Sequence, residues 1–292
     1  MATYNERMQF LSSLEQRKKT FEMTQMRIMS ESDFEIASRM ESIIPFVIPN
    51  FMHTGAFLTQ QEAFSQSYEY LKEIDPIYVD AAKEIEMGAR VRGIYDINYA
   101  FSTYIEYEVD PATKKVTTKG RVDHFKTPKK FDGISPMWLA HEHIHALKET
   151  RHREYVDAQV LGDVIPMFLE LLIADRENSE KASILMKERL FLLKQESLQT
   201  QRVRQEIFRN DVEDDLYKVF ATSSMQYLNS YYYSILFYDL YRKNSRVVLT
   251  HIRSVLDGKE TTRQMLQKMG LLRPFDIITA TSGIEMVKKR IL

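Results

Sequence analysis

Cysteine is absent from the 292 residues of the sequence, and glycine, proline and tryptophan are scarce, with 9, 8 and 1 residues. Without thiols the chain has no disulfide, no thiolate metal site and no cysteine nucleophile. So few glycines and prolines leave few turn signals, which favours long helices. A protein without cysteine is also compatible with a reducing compartment.

An excess of charge of one sign is missing too, because 40 basic and 41 acidic residues give a formal net charge of -1. Such a balance does not favour a nucleic-acid partner. The first 15 residues are polar and lack the apolar core of a signal peptide. The most apolar stretch, 43–51, contains Pro45 and Pro49 and is too short to cross a bilayer. We therefore expect a cytoplasmic protein with neither nucleic acid nor membrane as a partner.

Helical spacing of apolar residues dominates the pattern, as in Phe64, Tyr68 and Leu71. Residues 101–109 alternate between two faces, 110–113 form a turn signal, and 115–122 alternate again, which predicts a β-hairpin. The sequence thus predicts a mainly α chain with a small β-hairpin. We expect a single domain over residues 1–292, with a helical N-terminal subdomain, 1–95, and a second part, 96–292, that holds the hairpin and the later helices.

Residues 141–145 read H-E-H-I-H and match the pattern H-E-x-x-H, inside a helix predicted to begin at Ser135. Positions i and i+4 share a helix face, so His141 and His145 can present two imidazoles to one metal ion. Glu142, beside them, can act as a base on a water at that ion without ligating it. These residue types at this spacing predict zinc-assisted hydrolysis, with a third protein ligand further along the chain.

Three downstream acids are candidates for that third ligand: Asp157, Asp163 and Glu170. Asp163 lies where a helix begins, and an aspartate there is typical of an N-terminal cap. Glu170 lies in an apolar helical run, where a carboxylate has to be paired, bound to a metal or on a narrow exposed face. We favour Glu170 as the ligand.

The sequence also resembles a known family. Glu170 follows His145 by 25 positions, the first motif continues as His-Ala-Leu, and a Tyr-x-x-x-Tyr-Tyr pattern begins at Tyr227. Together these features resemble the thimet oligopeptidase and oligoendopeptidase F family of gluzincin metallopeptidases, over roughly 138–292. Three positions differ from the usual family pattern, since Ile144 replaces a glycine, Lys148 replaces a histidine and Ser234 replaces a tyrosine.

The resemblance implies a helical, zincin-like metallopeptidase with the small β-hairpin or sheet beside the active-site helix. It implies one Zn²⁺ per chain, held by His141, His145 and Glu170, with Glu142 as the general base. Tyr231, and after it Tyr227, would stabilise the negative oxygen of the tetrahedral intermediate. The same tyrosines could instead form an aromatic stripe of the core.

The predicted function is zinc-dependent endopeptidase activity on short peptides. The alternative is a catalytically inactive helical binding protein that retains a structural metal site, which His143 or His124 would close as a fourth ligand. The sequence leaves the oligomeric state open, including cleavage that occurs only in a homodimer.

Overall fold

Helices make up most of the described chain, and one small sheet lies between the third and fourth of them. The computed structural model describes residues 30–48, 57–94, 100–109, 116–151, 161–177, 179–209 and 214–291. The helices within these ranges are α1 (Glu31–Ile43), α2 (Gln60–Leu71), α3 (Ile77–Gly88), α4 (Ser135–Arg151), α5 (Val164–Glu177), α6 (Glu180–Arg209), α7 (Asp214–Lys243), α8 (Ser245–Leu256), α9 (Thr262–Lys268) and α10 (Ile277–Ile291). The strands are β1 (Arg90–Ile94), β2 (Ala100–Val109) and β3 (Val116–Pro128).

The sheet has the order β1-β3-β2. Strands β2 and β3 pair antiparallel, as the alternating pattern predicts, with a register shift between Glu106 and Tyr107. The predicted turn at 110–113 lies outside the described residues. Strand β1 is an addition that the sequence does not predict, and it pairs parallel to β3 from Arg90 opposite His124 to Ile94 opposite Pro128. Strand β2 packs against α4, which confirms a mainly α fold with a small sheet beside the helix that carries the H-E-x-x-H pattern.

Helix α5 is the centre of the helical layer. Every residue from Val164 to Ala174 is buried, including Glu170. A helix that is apolar on all sides needs neighbours on all sides, and α5 packs against α4, α6, α7 and α10. The buried apolar side chains form one continuous cluster that runs from α1 to α10. The acid on α5 is therefore fixed in the interior, between the histidine helix and the long helices α6 and α7.

The start of α4 is fixed by a reciprocal pair rather than by Ser135 alone. Ser135 is the first helical residue, and the Asp132 carboxylate accepts hydrogen bonds from the backbone N–H groups of Ile134 and Ser135 at 3.2 and 3.1 Å. The Ser135 hydroxyl in turn accepts from the Asp132 N–H at 2.7 Å. Both partners satisfy donors that a helix start leaves open.

Among the described helices, none combines the length and the apolar character that crossing a membrane requires.

Candidate metal centre

The two histidines of the pattern face each other on α4. His141 and His145 are one turn apart, and their Nε2 atoms are 3.1 Å apart. Their rings are tilted at 57° with centroids separated by 5.0 Å. The His141 side chain is buried, whereas the His145 side chain is 21% exposed. The i, i+4 spacing thus brings two ring nitrogens together, and the His145 ring is the more exposed of the two.

Asp163 brings a carboxylate oxygen to the same point. Its Oδ1 atom lies 3.3 Å from Nε2 of His141 and 3.4 Å from Nε2 of His145. Asp163 immediately precedes α5, and its carbonyl accepts the first helical hydrogen bond, from Met167 N–H at 2.9 Å. The third helical residue is Pro166, which has no N–H for a capping carboxylate. The aspartate therefore occupies the capping position that its sequence context indicates, while its side chain faces the histidines. Asp157, the remaining candidate acid, lies outside the described residues.

These three atoms match the donor set of a zinc site. Zinc binds histidine nitrogen at about 2.0–2.1 Å and carboxylate oxygen at about 2.0–2.2 Å in tetrahedral geometry. The edges of such a tetrahedron are about 3.2–3.5 Å long, because an edge is about 1.6 times the bond length. The observed separations of 3.1, 3.3 and 3.4 Å describe one face of that tetrahedron. Among the described residues, His141, His145 and Asp163 form the group of side chains that could hold a metal ion.

Glu170 contacts the opposite side of the His141 ring. Its Oε1 atom lies 2.6 Å from Nδ1 of His141, and Glu170 is not part of the three-residue group. A carboxylate on Nδ1 keeps the proton on that nitrogen and leaves the Nε2 lone pair for a metal, which is the usual arrangement behind a metal-bound histidine. The predicted role of Glu170 as a ligand stays a prediction, and its observed contact is the one that an orienting acid makes.

Arg189 from α6 holds Glu170 in place. Its Nη2 and Nε atoms donate to the two carboxylate oxygens of Glu170 at 2.5 and 2.8 Å. The guanidinium also lies over the Trp138 ring, 4.8 Å from its centroid. Both members of this ion pair are buried, with side chains 6% and 1% exposed. A bidentate pair of this kind orients the carboxylate as well as neutralising it.

The charges of these groups set the pKa values at the centre. Burial lowers the pKa of His141, but the charge of Glu170 and the contact with Asp163 outweigh it and raise the pKa to about 9. Burial raises the pKa of Glu170, but the Arg189 charge and then His141 lower it to about 2. The two histidines likewise hold the pKa of Asp163 well below its usual range, against the effect of burial. Both carboxylates are therefore anionic near neutral pH, which attracts a cation to the two Nε2 atoms.

The predicted catalytic residues lie around this group. Glu142 is buried next to His141, and its charge contributes to the raised pKa of that histidine. Tyr227 on α7 is only partly buried, and the charge of Asp163 is the first cause that raises its pKa, to about 12. Tyr231, one turn later, is fully buried, and burial followed by the charge of Glu170 raises its pKa. Its hydroxyl has no hydrogen-bond partner among the described residues.

His143 faces away from the other two histidines. Its ring is buried among Phe64, Tyr68 and Phe125, with centroid distances of 5.6, 5.3 and 5.3 Å. Its Nδ1 atom lies 2.6 Å from the carbonyl oxygen of Leu139, one turn earlier. His143 thus belongs to the packing between α4, α2 and the sheet. The backbone of His124 pairs with that of Arg90 at the start of the parallel ladder.

Arg189 is the residue at this centre that the sequence analysis missed. It lies in the long amphipathic stretch 180–209, which has 11 charged and 12 apolar residues and in which an arginine is ordinarily solvated. A signal was present, because Arg189 falls four positions after Leu185 and four before Leu193, both buried. A charge within an apolar stripe indicates a buried partner.

Comparisons with known proteins find a similar fold but no matching family. No family model matches the chain, and no curated protein matches it. Among solved structures, the chain is similar to an oligoendopeptidase F from Bacillus anthracis str. Ames, with a TM-score of 0.51 and 10% sequence identity. The match covers 95% of this chain and 55% of that one. A second similar structure, PZ peptidase A with an inhibitor, has a TM-score of 0.49 and 12% identity over 95% of this chain and 58% of that one.

The likeness to the first structure is a likeness of fold, because the sequences share so little. The chain spans little more than half the length of either structure. It has the helical fold of a peptidase structure, and the centre described above occurs within that fold.

Proposed function

We propose that this chain is a zinc-dependent peptidase that hydrolyses peptide bonds in short peptides. The observation that carries the proposal is the group of three ligand atoms, 3.1 to 3.4 Å apart, with Glu142 next to one of its histidines. The peptidase-like fold supports the substrate class, and the partly exposed side chain of His145 offers an approach for a peptide. The proposal includes the assignment to one zinc ion per chain.

His141, His145 and Asp163 would hold the zinc ion. When bound, zinc acts as a Lewis acid that polarises a carbonyl group and lowers the pKa of a water molecule towards about 7. Glu142 would accept the proton of the attacking water and deliver it to the leaving amine.

The choice of Asp163 over Glu170 as the acidic ligand rests on what each carboxylate already contacts. Glu170 would have to give up two hydrogen bonds from Arg189 in order to reach the metal. Asp163 needs no such change, because its Oδ1 atom already lies beside both Nε2 atoms. We therefore propose that Glu170 orients His141 and that Asp163 binds the metal. The family resemblance supports the opposite assignment, so the two acids are tested side by side.

A tyrosine of α7 would stabilise the oxyanion that forms during hydrolysis. The resemblance favours Tyr231, whereas exposure favours Tyr227, since Tyr231 is wholly buried. Tyr227 is influenced first by the charge of Asp163, which supports a position at the edge of the centre. We propose Tyr227 as the donor and Tyr231 as the alternative.

The experiment combines metal analysis with cleavage of a panel of quenched-fluorescent peptides. We expect about one zinc per chain in the wild type. Glu142→Gln should keep the metal but lose about 10²- to 10⁴-fold in turnover, because a general base contributes that much. Glu84→Gln, at an exposed position on α3, is the matched control and should behave as the wild type. Zinc content should fall in Asp163→Ala and be largely kept in Glu170→Ala.

Each part of the proposal has its own contrary result. Near-normal turnover in Glu142→Gln would remove the general base from the mechanism. Loss of zinc in Glu170→Ala together with full occupancy in Asp163→Ala would give the ligand role back to Glu170. The wild type is also assayed at protein concentrations high enough to form dimers. If it holds zinc but cleaves no peptide at any of these concentrations, the alternative of an inactive binding protein is established.

A further inference from the structure

The turn that carries Asp163 has to be held firmly for its carboxylate to stay between two imidazoles. Asp163 follows Leu161 and Gly162, and all three residues are buried. Within the turn, the Val164 N–H donates to the carbonyl of Leu161 at 3.3 Å. This hydrogen bond lies within the turn. Among the described residues, one side chain of α4 and one of α7 attach the turn to its neighbouring helices.

The first attachment comes from α4 itself. Lys148 lies seven positions after His141 and three after His145, so it shares their helix face. Its side chain is buried, and its Nζ atom donates to the carbonyl oxygen of Gly162 at 2.9 Å. A buried ammonium is costly unless it is hydrogen-bonded, and here the bond joins the histidine face to the residue before Asp163.

The second attachment comes from α7. The Ser234 hydroxyl is buried and lies 2.8 Å from the carbonyl oxygen of Val164, the residue after Asp163. The same hydroxyl lies 2.7 Å from the carbonyl oxygen of Ser230, so its single proton is shared between two acceptors. The carbonyl groups on both sides of Asp163 are therefore held from two different helices.

We propose that Lys148 and Ser234 are positioning residues that together fix Asp163 as the carboxylate ligand of the metal. The hydrogen bonds given above join both side chains to backbone carbonyl groups next to Asp163. Both act on the backbone that flanks Asp163, and a shift of this backbone moves Oδ1 away from the two Nε2 atoms. This inference rests on the proposed function, specifically on the role of Asp163 as a ligand.

Zinc affinity, measured by competition with a chromophoric chelator, tests the inference on the whole chain. Lys148→Met keeps the length of the side chain without its donor, and Ser234→Ala removes only the hydroxyl. We expect each to weaken zinc binding by about 10- to 100-fold, as loss of an outer hydrogen-bond partner does. Lys148→Arg, which restores a donor, should recover most of the affinity. Ser67→Ala removes another buried hydroxyl that bonds a backbone carbonyl, at 2.7 Å from Phe64 O, and should leave zinc affinity unchanged.

Two further readouts separate positioning from a general loss of stability. The visible absorption of Co²⁺-loaded protein reports the ligand set, and it should change in Lys148→Met towards the spectrum of Asp163→Ala. In the Asp163→Ala background, Lys148→Met and Ser234→Ala should have no further effect on metal affinity, since they act through Asp163. If Lys148→Met does not fold, Ser234→Ala carries the same comparison.

The contrary results are distinct. Wild-type zinc affinity and Co²⁺ spectrum in both Lys148→Met and Ser234→Ala would overturn the positioning role and leave the metal site intact. Equal losses with and without Asp163 would show that the two residues support the fold in general. Unchanged zinc binding in Asp163→Ala would overturn the proposed ligand assignment, and with it the role inferred here.

Discussion

The buried pair between Arg189 and Glu170 offers a direct test of how the centre is built. Replacing Arg189 by methionine leaves the Glu170 carboxylate buried, with His141 as its remaining charged contact. Breaking such a pair from one side typically lowers the free energy of unfolding by about 3–5 kcal/mol, because the remaining buried charge loses its bidentate partner and is not solvated in exchange. We expect a loss of that size in metal-free protein, where metal binding does not add to stability.

The loss in free energy of unfolding depends on how deeply the ion pair is buried. An exposed ion pair with a similar separation therefore provides the control. Lys243 and Asp239 on α7 lie 2.6 Å apart, close to the 2.5 Å of the Arg189–Glu170 contact, but their side chains are 68% and 47% exposed. Exposed pairs at this spacing contribute about 0.3–0.5 kcal/mol. Lys243→Met should therefore change the free energy of unfolding by less than about 1 kcal/mol.

Urea unfolding followed by circular dichroism and by tryptophan fluorescence measures both variants. The single tryptophan, Trp138, lies beneath the Arg189 guanidinium and reports on this region directly. Adding Glu170→Gln to Arg189→Met should recover part of the loss, because the unpaired charge is then gone. A loss below about 1 kcal/mol in Arg189→Met, or simple additivity in the double variant, would refute the reasoning from burial.

Two further predictions concern the tyrosine helix and the pH dependence of stability. In Tyr227→Phe we expect kcat to fall by about 10²-fold with little change in KM, since an oxyanion donor acts in the transition state. If Tyr231→Phe shows this fall and Tyr227→Phe does not, Tyr231 is the donor. Burial raises the pKa of Glu188 from 4.5 to about 7. Between these values the folded state binds more protons than the unfolded state, so stability falls as the pH rises through this window. Glu188→Gln keeps an acceptor for the Trp138 Nε1–H group, which lies 3.0 Å from the Glu188 carboxylate. In urea unfolding, this variant should be more stable than the wild type by about 1–2 kcal/mol at pH 8 and by much less at pH 5. An equal difference at both pH values would contradict burial as the cause of the raised pKa.

The sequence by itself determined the features that depend on neighbouring residues. The i, i+4 spacing of His141 and His145 places two imidazoles on one face of any helix, and the structure brings their Nε2 atoms together. The alternating pattern before and after 110–113 predicted strands β2 and β3 in the same way. The apolar run around Glu170 predicted a buried helix, and α5 is buried along most of its length.

Tertiary structure alone decided which acid faces which side of His141. The sequence predicts that a carboxylate in an apolar run has a partner, but it does not say whether the partner is a metal or an arginine from another helix. Glu170 meets Arg189 because α5 packs against α6, and Asp163 meets the histidines because the start of α5 lies against α4. Strand β1 has the same origin, since its hydrogen-bond partners in β3 are about 34 residues away along the chain. Contacts of this kind depend on how helices and strands pack, and periodicity within one segment does not encode them.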